Sequence, residues 1–338
     1  MKKETCRKMI AAVAIFGMLA LTGCGSNKAT SGGEKANTGS ADFPKKAITL
    51  LVPYGAGGGT DSTARALAKA TEKHLGQSIA IVNKTGGGGA VGFTEGSTAK
   101  PDGYTVTMVT VELTTLRHLG LATINYKDFK PIAQLNFDPS AITVKADARW
   151  KNVQEFIDYA KANPGEVKVG NSGPGAIWHL SAVAIEKAAN VKFTHVPFDG
   201  AAPAIIALLG GHIDAVTVSP AEVKVHVESG KLRTLAIVDT KPSLALPGVK
   251  TLEQETGLKP VYFGTWRGIA VPKDTPDAIA SVLTAAFMKG AAEPEFVEYM
   301  NKNGLGLSVK DSKDFGKLLE DNDKSFSELI PALGLGQK

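Results

Sequence analysis

The residues with the most chemical potential lie in three glycine-rich turns. The first reads Pro53-Tyr54-Gly55-Ala56-Gly57-Gly58-Gly59-Thr60-Asp61, the second Gly86-Gly87-Gly88-Gly89, and the third Gly170-Asn171-Ser172-Gly173-Pro174-Gly175. The first turn joins an apolar run to a helical pattern. Amide N–H groups at such a helix start have no partner inside the helix, and the helix dipole places partial positive charge there. The turn therefore suits a carboxylate or a phosphate. It holds no basic residue, so the backbone would do the holding. Gly58 and Gly59 leave room for close approach, and a side chain at Gly58 is expected to block it. Tyr54 and Thr60 add hydroxyls. Asp61 reads first as the N-cap of the helix and second as a ligand contact.

Other chemistries fit less well. Gly87-Gly88-Gly89-Ala90-Val91-Gly92 matches G-x-G-x-x-G after a strand, and Glu112 follows 20 residues after Gly92. That is the form of a dinucleotide fingerprint, but the leader described below marks the chain for export, where soluble dinucleotides are scarce. Gly170-Asn171-Ser172-Gly173-Pro174 falls one residue short of the G-x-S-x-G elbow, with His179 or His195 as a conceivable base. A secreted serine hydrolase using Ser172 is thus the alternative function. Hydrogen bonding of a ligand, or of the loop itself, suits the Ser172 hydroxyl and the Asn171 amide better. The six histidines include no i, i+4 pair and no carboxylate cluster at ligand spacing, so neither a metal site nor a cofactor is expected. Thr217 and Ser219 end a strand and could reach a cleft or simply pack.

The elements that must position these residues alternate in type. Ala47 to Val52 is short and rich in branched residues, as a buried strand is. The helix after it carries Ala64, Leu67, Ala68, Thr71 and Leu75 on one face and stops at Gly76. Ser78–Val82, Tyr104–Val111, Ile132–Asn136, Ala141–Lys145, Val167–Val169, Phe193–Phe198, Ile213–Val218 and Leu232–Val238 read as further strands. Helices are predicted over Val153–Ala162, Ala176–Ala189, Pro276–Ala291, Pro294–Asn303 and Lys313–Leu329, with the chain mostly helical from Pro272 on. This pattern predicts an α/β fold with mainly parallel sheets. Ligands of such sheets bind at the carboxyl ends of the strands.

The N-terminus reads as a leader. Lys2, Lys3, Arg7 and Lys8 precede an apolar stretch from Met9 to Leu21, too short to span a bilayer comfortably. Leu21-Thr22-Gly23-Cys24 looks like a bacterial lipobox, which implies removal of residues 1–23 and acylation of Cys24. Those 23 residues hold four of the 38 basic and one of the 33 acidic residues, so the remainder is near neutral and gives no case for nucleic-acid binding. Only Cys6 and Cys24 are present, so no disulfide, thiol nucleophile or Cys-based metal site is expected in the body. Residues 24–42 are the lipidated cysteine and a flexible polar tether. The tether's length hints at a Gram-positive host.

Several segments then match a known family in its own order. They are Phe43-Pro44-Lys45-Lys46, Val52-Pro53-Tyr54 with Gly57 to Asp61, Asn83-Lys84 with its glycine run, and Pro101-Asp102-Gly103-Tyr104-Thr105. Further along they are Ala160-Lys161-Ala162-Asn163-Pro164-Gly165, Gly170 to Gly175 with His179-Leu180, Val196-Pro197-Phe198 with Gly200 to Ala204, and Leu208 to Asp214. With these pieces the chain resembles the extracytoplasmic solute-binding receptors of tripartite tricarboxylate transporters, the TctC or Bug family. The resemblance implies a two-lobed periplasmic-binding-protein fold of the second type, hinged on two crossing strands. Lobe one would be 43–142 plus 268–338, and lobe two 143–267. It implies a monomeric receptor on the outer face of the cytoplasmic membrane that captures a small carboxylate. It would pass this solute to a transporter made of a large and a small membrane subunit, performing no chemistry. One carboxylate would be held by main-chain amides of the loops at Tyr54–Asp61 and Gly86–Gly89, which include Gly87 and Gly88. Two residues depart from the family pattern. Asp199, where a lysine or long polar residue is common, would favour a ligand hydroxyl or amino group if it faces the cleft. Arg267, where an apolar residue is common, could clamp a second carboxylate.

Overall fold

The computed structural model describes residues 43–260 and 263–336. The leader, the lipobox with Cys24 and the tether lie outside these residues. Among the described residues no helix is long and apolar enough to cross a membrane.

The chain runs β1 (Ile48–Val52), α1 (Gly59–Leu75), β2 (Ile79–Asn83), α2 (Ala90–Thr98), β3 (Thr105–Thr110) and β4 (Phe129–Lys145). It continues α3 (Val153–Ala162), β5 (Lys168–Asn171), α4 (Ile177–Ala189), β6 (Thr194–Pro197), α5 (Ala201–Leu209), β7 (Ala215–Val216), α6 (Pro220–Glu228) and β8 (Leu232–Val238). It ends α7 (Leu252–Thr256), β9 (Gly264–Pro272), α8 (Asp277–Ala292), α9 (Pro294–Asn303), β10 (Leu307–Lys310) and α10 (Ser312–Ala332).

Two groups of strands form. β1 pairs in parallel with β2 and β3, and β5 pairs in parallel with β6 and β7, as the strand–helix alternation requires. The antiparallel pairs gather on β4 and β9. β9 pairs with β3 through Thr110↔Arg267 and with β4 from Phe129↔Pro272 to Pro139↔Gly264. The first part of β4 also pairs with β10, and its second part with β7 and β8. Thus β4 belongs to both groups, and β9 runs beside it where it passes from one to the other.

Each group has its own apolar core. Ile48, Leu50, Leu67, Met108, Ile269 and Phe287 fill the first. Val144, Phe156, Val169, Ile185, Phe193 and Val238 fill the second. A third cluster takes Phe93, Leu113, Trp178, Leu208, Trp266 and Phe315 from both groups and lies beneath the glycine turns.

The α1 face predicted from periodicity is the buried one: Ala64, Leu67, Ala68, Thr71 and Leu75 are all inside. Gly76 ends the helix in the left-handed region at φ 67, its N–H donating to the Glu72 carbonyl. Other elements differ from the sequence reading. Asp138-Pro139 reads as a break, yet β4 is continuous for 17 residues. The Asp138 side chain is occupied by Arg267 rather than by a turn, and Pro139 stands in register with Gly264. β10 went unpredicted because its apolar residues point the wrong way: Leu307 and Val309 are 37% and 40% exposed. β7 has only two residues, and α6 is an additional helix whose start carries a capping box, Ser219 with Glu222.

Candidate functional site

The turn after β1 folds around the Asp61 carboxylate. Asp61 Oδ2 accepts from the Gly57 amide at 2.9 Å and from Arg65 Nε at 2.9 Å, while Oδ1 accepts from Asn83 Nδ2 at 3.0 Å. Burial acts to raise the Asp61 pKa, but the bonds from Arg65, Gly57 and Asn83 outweigh it and hold the carboxyl below its ordinary value. The expected N-cap role therefore needs correcting. The N-cap is Gly58, at φ −77, and Asp61 sits in the first turn holding the loop to α1 and β2.

Next to the loop lies a buried charge cluster. Arg267, on β9, is 1% exposed. Its Nη1 donates to Asp138 Oδ2, its Nε to Thr60 Oγ1 at 3.0 Å, and its Nη2 lies 3.7 Å from Glu222 Oε1. Glu222 Oε1 also accepts from the Gly59 amide at 2.9 Å. A Cβ on Gly59 would come within 2.6 Å of Arg267 Nη2, whereas a Cβ on Gly58 would meet nothing closer than 3.7 Å. Within the protein itself the packing need for glycine in this turn falls on Gly59, and the backbone need on Gly57 at φ 85. The guanidinium that could have clamped a ligand carboxylate is engaged by the protein's own acids.

The second and third turns face each other. Gly86 to Gly89 all have positive φ, from 59 to 121. Tyr54 Oη donates to the Gly88 carbonyl at 3.0 Å. A Cβ on Gly88 would stand 3.0 Å from the Pro174 carbonyl oxygen, and one on Gly173 would stand 3.4 Å from Gly88 Cα. Between these loops opens a cavity of about 440 Å³ whose walls include Tyr54, Gly87, Gly88, Ser172, Phe198 and Asp199. Among the described residues no Lys, Arg or His lines it. Gly57, Gly58 and Gly59 line a separate cavity of about 320 Å³ with Ile205, Glu222 and His226, and Gly58 and Gly59, with Thr60 and Arg267, also line a narrow gap of about 20 Å³ that Tyr54 and Ser172 touch.

The remaining candidates divide. Asp199 is in the cavity wall, and its carbonyl accepts from the Gly55 amide at 3.0 Å. Asn171 Oδ1 accepts from the Gly173 amide at 3.2 Å, shaping the third turn, and its Nδ2 is buried with no partner. Thr217 donates to the Trp178 carbonyl at 2.7 Å and Ser219 to Glu222 Oε2 at 3.0 Å, so both are tied up in packing. Neither histidine hydrogen-bonds Ser172 among the described residues. His179 Nδ1 accepts from the Gly175 amide at 3.1 Å, and burial, with His195 beside it, lowers its pKa to about 4. His195 instead pairs with Glu186 at 3.2 Å.

Two acids that sequence reasoning did not place at the site are central to it. One, Glu222, was legible only as the capping box Ser219-Pro220-Ala221-Glu222. The other, Glu112, was noted only as a fingerprint acid, though it follows directly on β3. It is 2% exposed; Oε1 accepts from the Ile177 amide at 2.9 Å and Oε2 from the Thr110 hydroxyl. Burial raises its pKa, only partly offset by these bonds. A raised acid contributes stability that is complete below the ordinary glutamate range and is lost as pH climbs through the raised value. Glu112→Gln removes that titration. The melting temperature of the variant is therefore expected to gain on the parent as pH rises from the ordinary range toward neutrality. A constant difference across that range contradicts the assignment.

Comparison with known proteins identifies the family. A family model described as "Tripartite tricarboxylate transporter family receptor" (TctC) matches residues 63–335. A UPF0065 protein in the gbd 5′ region of Cupriavidus necator is 34% identical over 298 residues, covering 87% of this chain and 90% of that protein. A ligand-free TctC solute-binding protein from Polaromonas is 43% identical with a TM-score of 0.63, covering 86% of this chain and 99% of that one. MatC from Rhodopseudomonas palustris, solved with bound malate, is 27% identical with a TM-score of 0.79, covering 85% and 99%. Another R. palustris protein, solved with adipate, is 25% identical with a TM-score of 0.81, covering 87% and 99%. The architecture is the two-lobed periplasmic-binding-protein fold, and the chain belongs to the TctC family of tripartite tricarboxylate transporter receptors, the extracytoplasmic solute-binding proteins.

Proposed function

We propose that this protein captures a small di- or tricarboxylate between two lobes, 43–142 with 268–338 and 143–267, and delivers it to a secondary transporter of one large and one small membrane subunit. Acylated Cys24 anchors it to the outer face of the cytoplasmic membrane. The hinge is the stretch where β4 and β9 run together, and solute contacts from both lobes stabilise the closed form over the open one. The observation that carries this reading is the cavity where two glycine turns from opposite strand groups come within contact distance. Its walls include the Gly86–Gly89 turn and Ser172, with no cation among the described lining residues. The Gly89 and Gly173 amides are taken by the Gly86 carbonyl and Asn171 Oδ1, so a carboxylate is held by the main-chain amides of Gly86 to Gly88 and by the amide and hydroxyl of Ser172. Asp199 in the same wall repels a bare anion and accepts from a ligand hydroxyl or amino group. The malate and adipate bound by related proteins support the substrate class.

A thermal-shift screen against small organic acids, followed by calorimetry on the parent and on Ser172→Ala, tests this. One carboxylate is expected to raise the melting temperature. Loss of one hydrogen bond in Ser172→Ala is expected to weaken it by about threefold to tenfold. Ester turnover by the parent that disappears in Ser172→Ala would instead establish a hydrolase.

A further inference from the structure

The two buried glutamates make the same contact in opposite directions. Each has one oxygen fixed on its own strand group. Glu112 Oε2 accepts from Thr110, and Glu222 Oε2 accepts from the amide and hydroxyl of Ser219 at 3.2 and 3.0 Å. The other oxygen of each crosses the cleft to the first amide of a helix in the opposite group: Glu112 to Ile177 of α4, Glu222 to Gly59 of α1, both at 2.9 Å. Such an amide has no partner inside its helix, and a carboxylate there also interacts favourably with the helix dipole.

The placement is reciprocal in topology as well. Glu112 follows β3, which lies parallel to and beside β1, the strand that feeds α1. Glu222 follows β7, which lies parallel to and beside β5, the strand that feeds α4. Each group thus offers one helix start and one carboxylate, and receives the same pair from its counterpart. Both side chains are almost fully buried, at 2% and 5% exposure. Neither contact survives separation of the two groups.

We infer that Glu112 and Glu222 are positioning residues that latch the two strand groups together in the absence of solute. Opening breaks both contacts at once. Loss of either one therefore favours an opening that exposes the other. The latch keeps the glycine turns near their capture geometry, and its rupture gates solute entry. This inference goes beyond solute capture and is tested without solute, so its outcome does not depend on which acid is bound.

Hydrogen exchange read by mass spectrometry on the full chain tests it. Glu222→Ala is expected to speed exchange in the first turn of α4, which Glu222 does not touch, by on the order of tenfold. Glu112→Ala is expected to do the same in the first turn of α1. Glutamine keeps an acceptor oxygen but gives up the charge, so Glu222→Gln and Glu112→Gln are expected to move the same remote amides by a smaller factor, about threefold. The glutamine pair supplies the answer if an alanine variant loses protection throughout β1 and β8. Remote amides that stay at parent rates while only the local contact speeds up would overturn the latch.

Discussion

Arg267→Ala is expected to destabilise the protein by about 3–5 kcal/mol, the cost of leaving a buried carboxylate without its partner. The guanidinium is 1% exposed and bonds Asp138, Thr60 and, more distantly, Glu222. Without it, Asp138 retains only the Asn136 side-chain amide at 2.9 Å and the Gly306 amide at 2.8 Å. These are neutral donors, weaker than a charged one. The midpoint of urea unfolding checks the prediction, and a second substitution separates its causes. Asp138→Asn in the Arg267→Ala background removes the stranded charge and should recover much of the loss. If Arg267→Ala melts like the parent and weakens only a two-acid ligand, Arg267 is a ligand clamp and not part of the framework.

Gly88→Val should weaken solute binding on the order of 100-fold, combining backbone strain with overpacking. Gly88 has φ +64, a conformation that costs an ordinary residue about 1–2 kcal/mol. Its Cβ would also stand 3.0 Å from a backbone carbonyl of the opposite turn, Pro174, which no rotamer change can move aside. Valine there holds the two glycine turns apart. Gly58→Ala is the control. Gly58 has φ −77, and the nearest atom to an added Cβ is 3.7 Å away. Calorimetry should show the valine variant crippled and the alanine variant close to the parent. Equal losses in the two would mean that the first turn, not the second, makes the closest approach.

The parts of this molecule governed by local rules were legible in the sequence. The β1–turn–α1 unit announces itself through a branched apolar run, a glycine cluster and a periodic face closed by Gly76. The glycine turns that face the cavity were visible for the same reason, since positive φ at Gly87, Gly88 and Gly173 demands that residue type. What escaped depends on partners distant in sequence. β10 exposes Leu307 and Val309, so its alternation gives no inward signal. Asp138-Pro139 imitates a turn because its real partner, Arg267, lies 129 residues away. Glu112 and Ile177 are 65 residues apart, Glu222 and Gly59 163 apart, and no local pattern ties a carboxylate to a helix start beside the other strand group. Asp61 misled in the opposite way. Its type and position suit an N-cap, but Gly58 takes that place and Asp61 grips the loop instead.

Peptide amides, and not the Arg267 guanidinium, grip the solute's acid group. A crystal structure with the carboxylate found by the thermal-shift screen tests this most directly. The account predicts carboxylate oxygens at about 3 Å from the amide nitrogens of Gly86 to Gly88 or of Ser172, with Arg267 still bonded to Asp138. A solute seated on the Arg267 guanidinium, with Asp138 or Glu222 pushed aside and the glycine amides facing water, would contradict it.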